Sequence, residues 1–399
     1  MALKEALGTI LSLRDENRRL RDELAAVRGE QVQLSLVHTE FDGNEPAVEQ
    51  IDAHSPAELK VALFRGLFRG REDIYAVRWE RPDGRGGYAP ALRFGAPRGR
   101  GVAHDPSDYL SLTPAVVRSH LTGGLTIGIY PLLQDDTCWL LAIDFDKAGW
   151  RQDALAALEV CDGFGIPGAL ERSRSGEGAH LWVFFAKPVA AFLARNLGSA
   201  MLTQALDRRY QIGLDSYDRL FPSQDTLPKG GFGNLIALPL QRQSREQGNT
   251  VFLDRDLEPH RDQWRFLSSI RKLEPAVAES IVQRAARSGR ITAVDSWVEP
   301  EDELEPWKLP PSRRKTDAPI PGPLPARLTM VLANRLFVDK KDLPPALINR
   351  LRRSAAFQNP EFYRAQRMRL STFGKPRLID CSEDFPDHLA LQGAVCLMC

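Results

Sequence analysis

"CWLLAIDFDK", residues 138–147, decides how the chain folds. Six residues suited to the inside of a sheet run directly into Asp144 and Asp146. Ionised carboxylates are rarely buried unless they are paired or bind a metal. A strand that ends this way therefore predicts something cationic opposite it. Residues two apart in a strand share a face, so both carboxylates project together. Side by side they repel unless a divalent cation lies between them, and oxygen ligands of this kind suit Mg2+ or Mn2+. An isolated Asp-x-Asp is also open to a plainer reading, in which one Asp caps a helix beginning near Trp150 and the other is solvated.

Downstream of this strand, set at 138–145, the patterning predicts a helix at 151–164, strands at 168–173 and 179–186, and a helix at 190–210. Strand material follows between 217 and 240. That order is β-α-β-β-α-β, the split βαβ arrangement of ferredoxin-like and RNA-recognition-like sheets, so the expected class is α/β (α+β). The arrangement hosts many functions and decides none by itself. Upstream, Ser55, Pro56 and Glu58 suggest a capping box opening a helix. That helix leads to a strand from Ile74 to Trp79, a Gly/Pro/Arg loop, a helix from Pro114 to Leu121 and the β-rich run "LTIGIYPLL".

Two further clusters carry candidate chemistry. "ERSRSGEGAHLWVFF" (171–185) is a small-residue turn feeding an apolar strand that begins at His180. Small residues allow close backbone approach, and Arg172, Ser173, Arg174 and exposed N–H groups suit phosphate oxygens. A hairpin with a structural His is the alternative. The turn joins two strands, so it is neither a Walker A loop nor a dinucleotide Gly-x-Gly-x-x-Gly. "YDRLFPSQDTLPKGGFGNLIALPLQRQ" (217–243) adds Asp218 and Asp225 as candidate third carboxylates, Lys229 in a Gly-rich turn, and Asn234 opening an apolar strand. Three acids with divalent ions match two-metal nucleotidyl transfer.

The remaining features bound the reading. The net charge is +1, which argues neither for nor against nucleic acid, although residues 60–100 and 308–353 are basic. No apolar run reaches the ~18 residues of a membrane span, so a cytoplasmic protein without membrane contact is expected. Five Cys are too few and too scattered for a disulfide framework, and Cys396-Leu-Met-Cys399 lacks the second pair of a zinc site. Residues 3–27 place Leu3, Ala6, Ile10, Leu13, Asn17, Leu20, Leu24 and Val27 at alternating spacings of three and four. That heptad predicts a coiled-coil helix over 1–30 and a homodimer, with a single amphipathic helix as the alternative. Residues 31–54 read as a linker, 55–290 as the main domain, 291–325 as a Pro-rich connector and 326–399 as a separate unit.

Asp144-Phe-Asp146, Gly178-Ala-His180 before an apolar strand, and a later acidic element resemble motifs I, II and III of the archaeo-eukaryotic primase superfamily. "LFRGREDIYAVRWE", "GIYPLL", "LAIDFD", "SRSGEGAHLWVFF" and "LFPSQDTLPKGGFGNLIALPLQ" together resemble the primase-polymerase domain of TOTE conflict systems, over roughly residues 55–275. The resemblance implies Asp144 and Asp146 as metal-binding carboxylates and His180 as a contact to the phosphates of the incoming nucleotide. It makes Asp225 the third carboxylate, with Asp218 as fallback, and Arg172, Ser173, Arg174, Lys229 and Asn234 nucleotide contacts. It also implies Mg2+ or Mn2+, NTP or dNTP, and a single-stranded DNA or RNA template. Relatives carry a Cys cluster between the "RWE" and "YPLL" strands; "ALRFGAPRGRGVAHDPSDYLSL" has none, so no zinc is expected. "NPEFYRAQRMRLSTFGKPRLIDCSEDFPDHLAL" resembles the segment that introduces a superfamily 2 helicase, so a truncated helicase region and a separate helicase partner are expected. Two other readings stand beside the enzyme: a degenerate nucleotide- or nucleic-acid-binding module that dimerises through its N-terminal helix, and a metal nuclease using the same acids.

Overall fold

The apolar run at 138–145 forms an interior strand of a five-stranded antiparallel sheet. In the computed structural model, which describes residues 50–94, 104–287, 319–320 and 323–392, the chain opens with α1 (Ala57–Leu67), β1 (Ala76–Glu80) and β2 (Gly86–Pro90). It continues through α2 (Pro114–Thr122), β3 (Ile127–Ile129), β4 (Thr137–Phe145), α3 (Trp150–Phe164), β5 (Gly168–Arg172), β6 (Ala179–Ala190) and α4 (Ala191–Arg208). Short strands β7 (Leu220–Phe221), β8 (Ile236–Ala237) and β9 (Phe252–Leu253) follow, with helices α5 (Arg242–Glu246), α6 (Gln263–Ser269) and α7 (Pro275–Arg287). The predicted coiled coil, its dimer and almost all of the 31–54 and 291–325 linkers lie outside the described residues.

The central sheet has the order β7-β4-β6-β5-β9. From β4 to β7 this is the split βαβ topology expected, with β9 added at one edge. Leu140, Leu141, Ala142 and Ile143 are all fully buried, which explains why β4 reads as a continuous apolar run and not an alternating one. Helices α3 and α4 cover one face. There Gly198 of α4 lies so close to Leu220 and Leu141 that an added Cβ would sit 2.9 and 3.1 Å from the Leu220 methyls. The predicted strand material after Tyr217 divides: β7 completes the central sheet, and β8 joins a second sheet of order β2-β1-β3-β8.

The other face of the central sheet is held to the N-terminal part by aromatic packing. Phe68, 2% exposed, sits edge-on to Trp182 and Phe184 of β6, with ring centroids 5.1 and 5.2 Å apart. The helix carrying it starts differently from the capping-box expectation. Ser55 Oγ donates to Asp52 Oδ1 at 3.0 Å, leaving α1 with no side-chain cap, and Glu58 pairs with Arg118 at 2.8 Å. Asp52 offers Ser55 a closer turn than the helix does.

Residues 323–392 form β10 (Met330–Leu332), β11 (Leu336–Asp339), α8 (Pro345–Ser354), β12 (Ala356–Gln358), α9 (Pro360–Arg367), β13 (Leu378–Asp380), β14 (Ser382–Asp384) and β15 (His388–Leu391). This segment is fastened to the central sheet's helices and loops by buried polar bonds. Arg195 Nε of α4 pairs with Asp225 Oδ1 at 2.5 Å, and Gln366 Nε2 of α9 donates to Asp225 Oδ2 at 2.8 Å. Asn349 Nδ2 of α8 donates to Asp207 at 2.6 Å. Among the described residues no helix is long and apolar enough to cross a membrane.

Phe68→Ala should cost about 3–5 kcal/mol, the usual range for removing a buried aromatic ring. Chemical denaturation checks this, and a loss under 1 kcal/mol would mean that the ring does not join the two parts.

Candidate active site

The pairing register builds the site. Asp144 of β4 lies directly opposite His180 of β6, and His180 lies opposite Glu171 of β5. On the other side, β4 pairs Ile143 with Leu220, and the Asp144 amide donates to the Arg219 carbonyl at 3.1 Å. Directly opposed residues share a face. Arg219, Asp144, His180 and Glu171 therefore form one row across four strands, with alternating charge type.

The contacts along the row are close. Glu171 Oε2 lies 2.8 Å from His180 Nδ1 and accepts the indole N–H of Trp182 at 2.9 Å. His180 Nε2 is 3.7 Å from Asp144 Oδ1, and Arg219 Nη1 is 3.6 Å from Asp144 Oδ2. The same Arg219 nitrogen bonds Asp146 Oδ2, and its Nε is 3.7 Å from Asp215 Oδ2. Lys147 Nζ closes the group on Asp215 Oδ1 at 2.6 Å. The cation predicted opposite the two carboxylates is, in this structure, a guanidinium.

Electrostatics follow from this geometry. Burial raises the pKa of Asp144; Asp146 adds to the rise, while His180 and Arg219 oppose it. Asp144 therefore favours the fold most when protonated, and that contribution is lost as pH rises through its raised pKa. Its ionised form is the one that gains from a cation. For His180, burial works against the charge, but Glu171 and then Asp144 outweigh it and the pKa is raised. Stabilisation by the imidazolium is complete below the ordinary value of 6.5 and is lost as pH rises through the raised one. Protonated, His180 directs Nε2–H toward the carboxylate end of β4.

Close packing fixes the hairpin beside the pair. A Cβ on Gly178 would lie 2.6 Å from the Phe145 carbonyl oxygen and 3.3 Å from the Asp146 Cα, so only glycine lets the turn approach β4. The Ser173 amide closes the turn on the Gly178 carbonyl at 2.9 Å.

The structure thus brings Asp144, Asp146 and His180 together. Arg174 reaches across to Glu80 of β1 at 3.5 Å, and Ser173 Oγ lies 3.1 Å from Ser175 Oγ. Arg172 donates to the carbonyls of Gly248 and Leu257, at 3.1 and 3.0 Å. Asn234 braces its loop, accepting from the Ser223 amide at 3.0 Å and donating to the Leu220 carbonyl at 3.1 Å. Asp225 gives its oxygens to Arg195 and Gln366, and Asp218 accepts the Arg377 amide at 2.8 Å. Lys229 lines a separate cleft. Among the described residues, no group of three or more His, Cys, Asp or Glu is arranged to hold a metal ion. The donor chemistry at Asp144 and Asp146, two hard carboxylates at one strand end, nonetheless fits Mg2+ or Mn2+.

Sequence reasoning missed Glu171, Arg219 and Asp215. The first two were detectable as charged residues ending or beginning apolar strands, at "LER" and "DRLF". Asp215 has no such signal, because a 3-10 turn at Leu214–Asp218 brings it back to Arg219.

A family model for the archaeo-eukaryotic primase domain of TOTE conflict systems matches residues 59–281. The chain belongs to this family. Among solved structures, the polymerase domain of ligase D from Mycobacterium tuberculosis in complex with DNA is similar. It is 18% identical, the match covers 58% of this chain and 87% of that one, and the TM-score is 0.28. No curated protein matches the chain. The primase-family match spans both sheets and the whole charged row, from Arg219 to Glu171.

Replacing Glu171 with Gln removes the charge that offsets burial at His180. The His180 pKa should fall below its wild-type value, as read by NMR titration of the imidazole. An unmoved titration would remove Glu171 as the cause.

Proposed function

We propose that the protein is a template-directed primase-polymerase that joins nucleotides from NTP or dNTP along single-stranded DNA or RNA. The observation that carries this reading is the row Arg219–Asp144–His180–Glu171 with Asp146 beside it, within a chain of the primase family. In the reaction, a strand's 3′-hydroxyl oxygen bonds the α-phosphorus of the incoming nucleotide, the bond to pyrophosphate breaks, and the hydroxyl proton leaves to solvent. Asp144 and Asp146 would hold Mg2+ or Mn2+, which when bound activates the hydroxyl and neutralises triphosphate charge. Arg219 already touches Asp215, so it has a carboxylate to retain when the pair takes a divalent ion. His180, whose pKa Glu171 helps to raise, donates to a phosphate oxygen when protonated, and Arg174 and Lys147 add positive charge at the margins. Phosphoryl transfer needs mainly such positioning and charge stabilisation.

Asp215 is the third carboxylate in contact with this group. Asp225 and Asp218, the acids expected from sequence, would have to leave Arg195 and the Arg377 amide to join it. A role in a conflict system rests on family membership. The cytoplasmic setting, the homodimer through residues 3–27 and a separate helicase partner rest on the sequence alone.

The test is incorporation of labelled nucleotides on a single-stranded template, with and without primer, in Mn2+. Asp144→Ala plus Asp146→Ala should lower product by roughly three orders of magnitude, about 4 kcal/mol of transition-state stabilisation. Equal metal-dependent product from the double variant contradicts the reading. Strand binding by wild type without incorporation under any nucleotide or metal would favour the non-catalytic module, and template degradation a nuclease.

A further inference from the structure

A cleft of about 620 Å³ lies outside the charged row, between two loops. One wall is "PKGGFGN" (228–234), the other "RLSTFGKP" (369–376), and Asp218, Ser223 and Gln224 line its floor. The walls are fastened to each other and to the body. The Lys229 amide donates to the Arg369 carbonyl at 2.9 Å, and Thr226 Oγ1 donates to the Gln366 carbonyl at 3.0 Å. The Arg369 guanidinium donates to Asp136 Oδ1 at 3.0 Å and to the Leu227 carbonyl at 3.2 Å.

Three features of this built cleft point to one kind of ligand. First, it is cationic. Lys229 and Lys375 line it, and among the described residues neither ammonium has a hydrogen bond or ion pair. The one lining acid, Asp218, is engaged by the Arg377 amide, and burial raises its pKa. Second, it holds an unpartnered donor. Gln224 is 4% exposed and its Oε1 accepts from Thr372 Oγ1 at 2.8 Å, but its Nε2 has no partner among the described residues. Leaving such a group unpaired is costly, and the amide is shielded from solvent, so it gains an acceptor only when the side chain turns toward the cleft that Gln224 lines. Third, Phe373 stands at the rim with its side chain 95% exposed, beside Lys375. Free ammonium groups, an unpaired buried donor and a bare aromatic ring match a polyanion that carries flat apolar faces.

We infer that this cleft binds single-stranded nucleic acid, with Lys229 and Lys375 on phosphates, the Gln224 amide turned toward a phosphate or base oxygen, and Phe373 stacked on a base. Such a combination of cationic groove and aromatic platform is how single strands are held without sequence preference. Asp218 of the floor adjoins Arg219 of the row in sequence, and Asn234 of one wall holds the Leu220 carbonyl of β7, so the cleft and the row share one stretch of backbone. Naming the bound strand as the template rests on the proposed function; strand binding itself does not.

Fluorescence anisotropy of the full chain with labelled thymidine and uridine oligonucleotides, about 16 nucleotides long to fill a typical binding site, tests this across a salt series. Phe373→Ala should weaken binding about tenfold with an unchanged thermal melt, as expected for losing one stacked base. Lys229→Ala with Lys375→Ala should reduce the slope of log affinity against log salt by about 1.4, two phosphate contacts on a single strand. Unchanged affinity and slope in both variants overturn the inference. So does unaltered strand affinity with weakened binding of free ATP or dTTP, which would make the cleft a mononucleotide site. If incorporation needs Asp144 and Asp146 but both cleft variants bind normally, only this inference fails. If strand binding falls as expected but no incorporation occurs, only the proposed function fails.

Discussion

The structure depends on a register. Four antiparallel strands must pair so that Arg219, Asp144, His180 and Glu171 fall opposite one another, and a slip of one residue would send every one of them to the other face. The register is set by burial on both sides: Leu140 to Ile143 and Leu181 to Phe184 are each at most 1% exposed. Apolar packing thereby fixes polar geometry. Each charge in the row is partly desolvated and faces an opposite one; burial wins at Asp144 and raises its pKa, whereas Glu171 and Asp144 win over burial at His180 and raise that one.

Much of this was legible in the sequence. The split βαβ order was readable because β4, α3, β5, β6 and α4 each have the length and periodicity of their kind, and α3 begins and ends within a residue of the expected 151–164. Asp144, Asp146 and His180 were readable because each interrupts the edge of an apolar run. What lay beyond reach depended on contacts between distant residues. The strand material after Tyr217 splits into two strands of two residues each, too short to carry a periodicity, and they serve different sheets. Asp225 reads as well as any acid in that stretch. Nothing local shows that Arg195, buried thirty residues earlier, and Gln366, from the far end of the chain, take its oxygens.

The C-terminal segment is joined to the site through the same stretch. Residues 218–234 join the charged row through Arg219 and touch residues 366–377 through Asp218 and Asp225. Arg377 is fully buried there; burial, with Arg195 nearby, lowers its pKa to about 10, so its charge is held at a cost that the surrounding fold offsets. One consequence is a loop that carries a carboxylate partner, Arg219, and one wall of a cationic cleft on a single length of backbone.

At the centre stands a pair of carboxylates that a guanidinium faces in this structure and that, in the proposed reaction, would hold a divalent ion. Electron paramagnetic resonance of Mn2+ titrated into the wild-type chain and into Asp144→Asn plus Asp146→Asn tests this most directly. The account predicts a bound Mn2+ in the wild type that is lost in the double variant while the fold is retained. The same amount of bound Mn2+ in both proteins would contradict it.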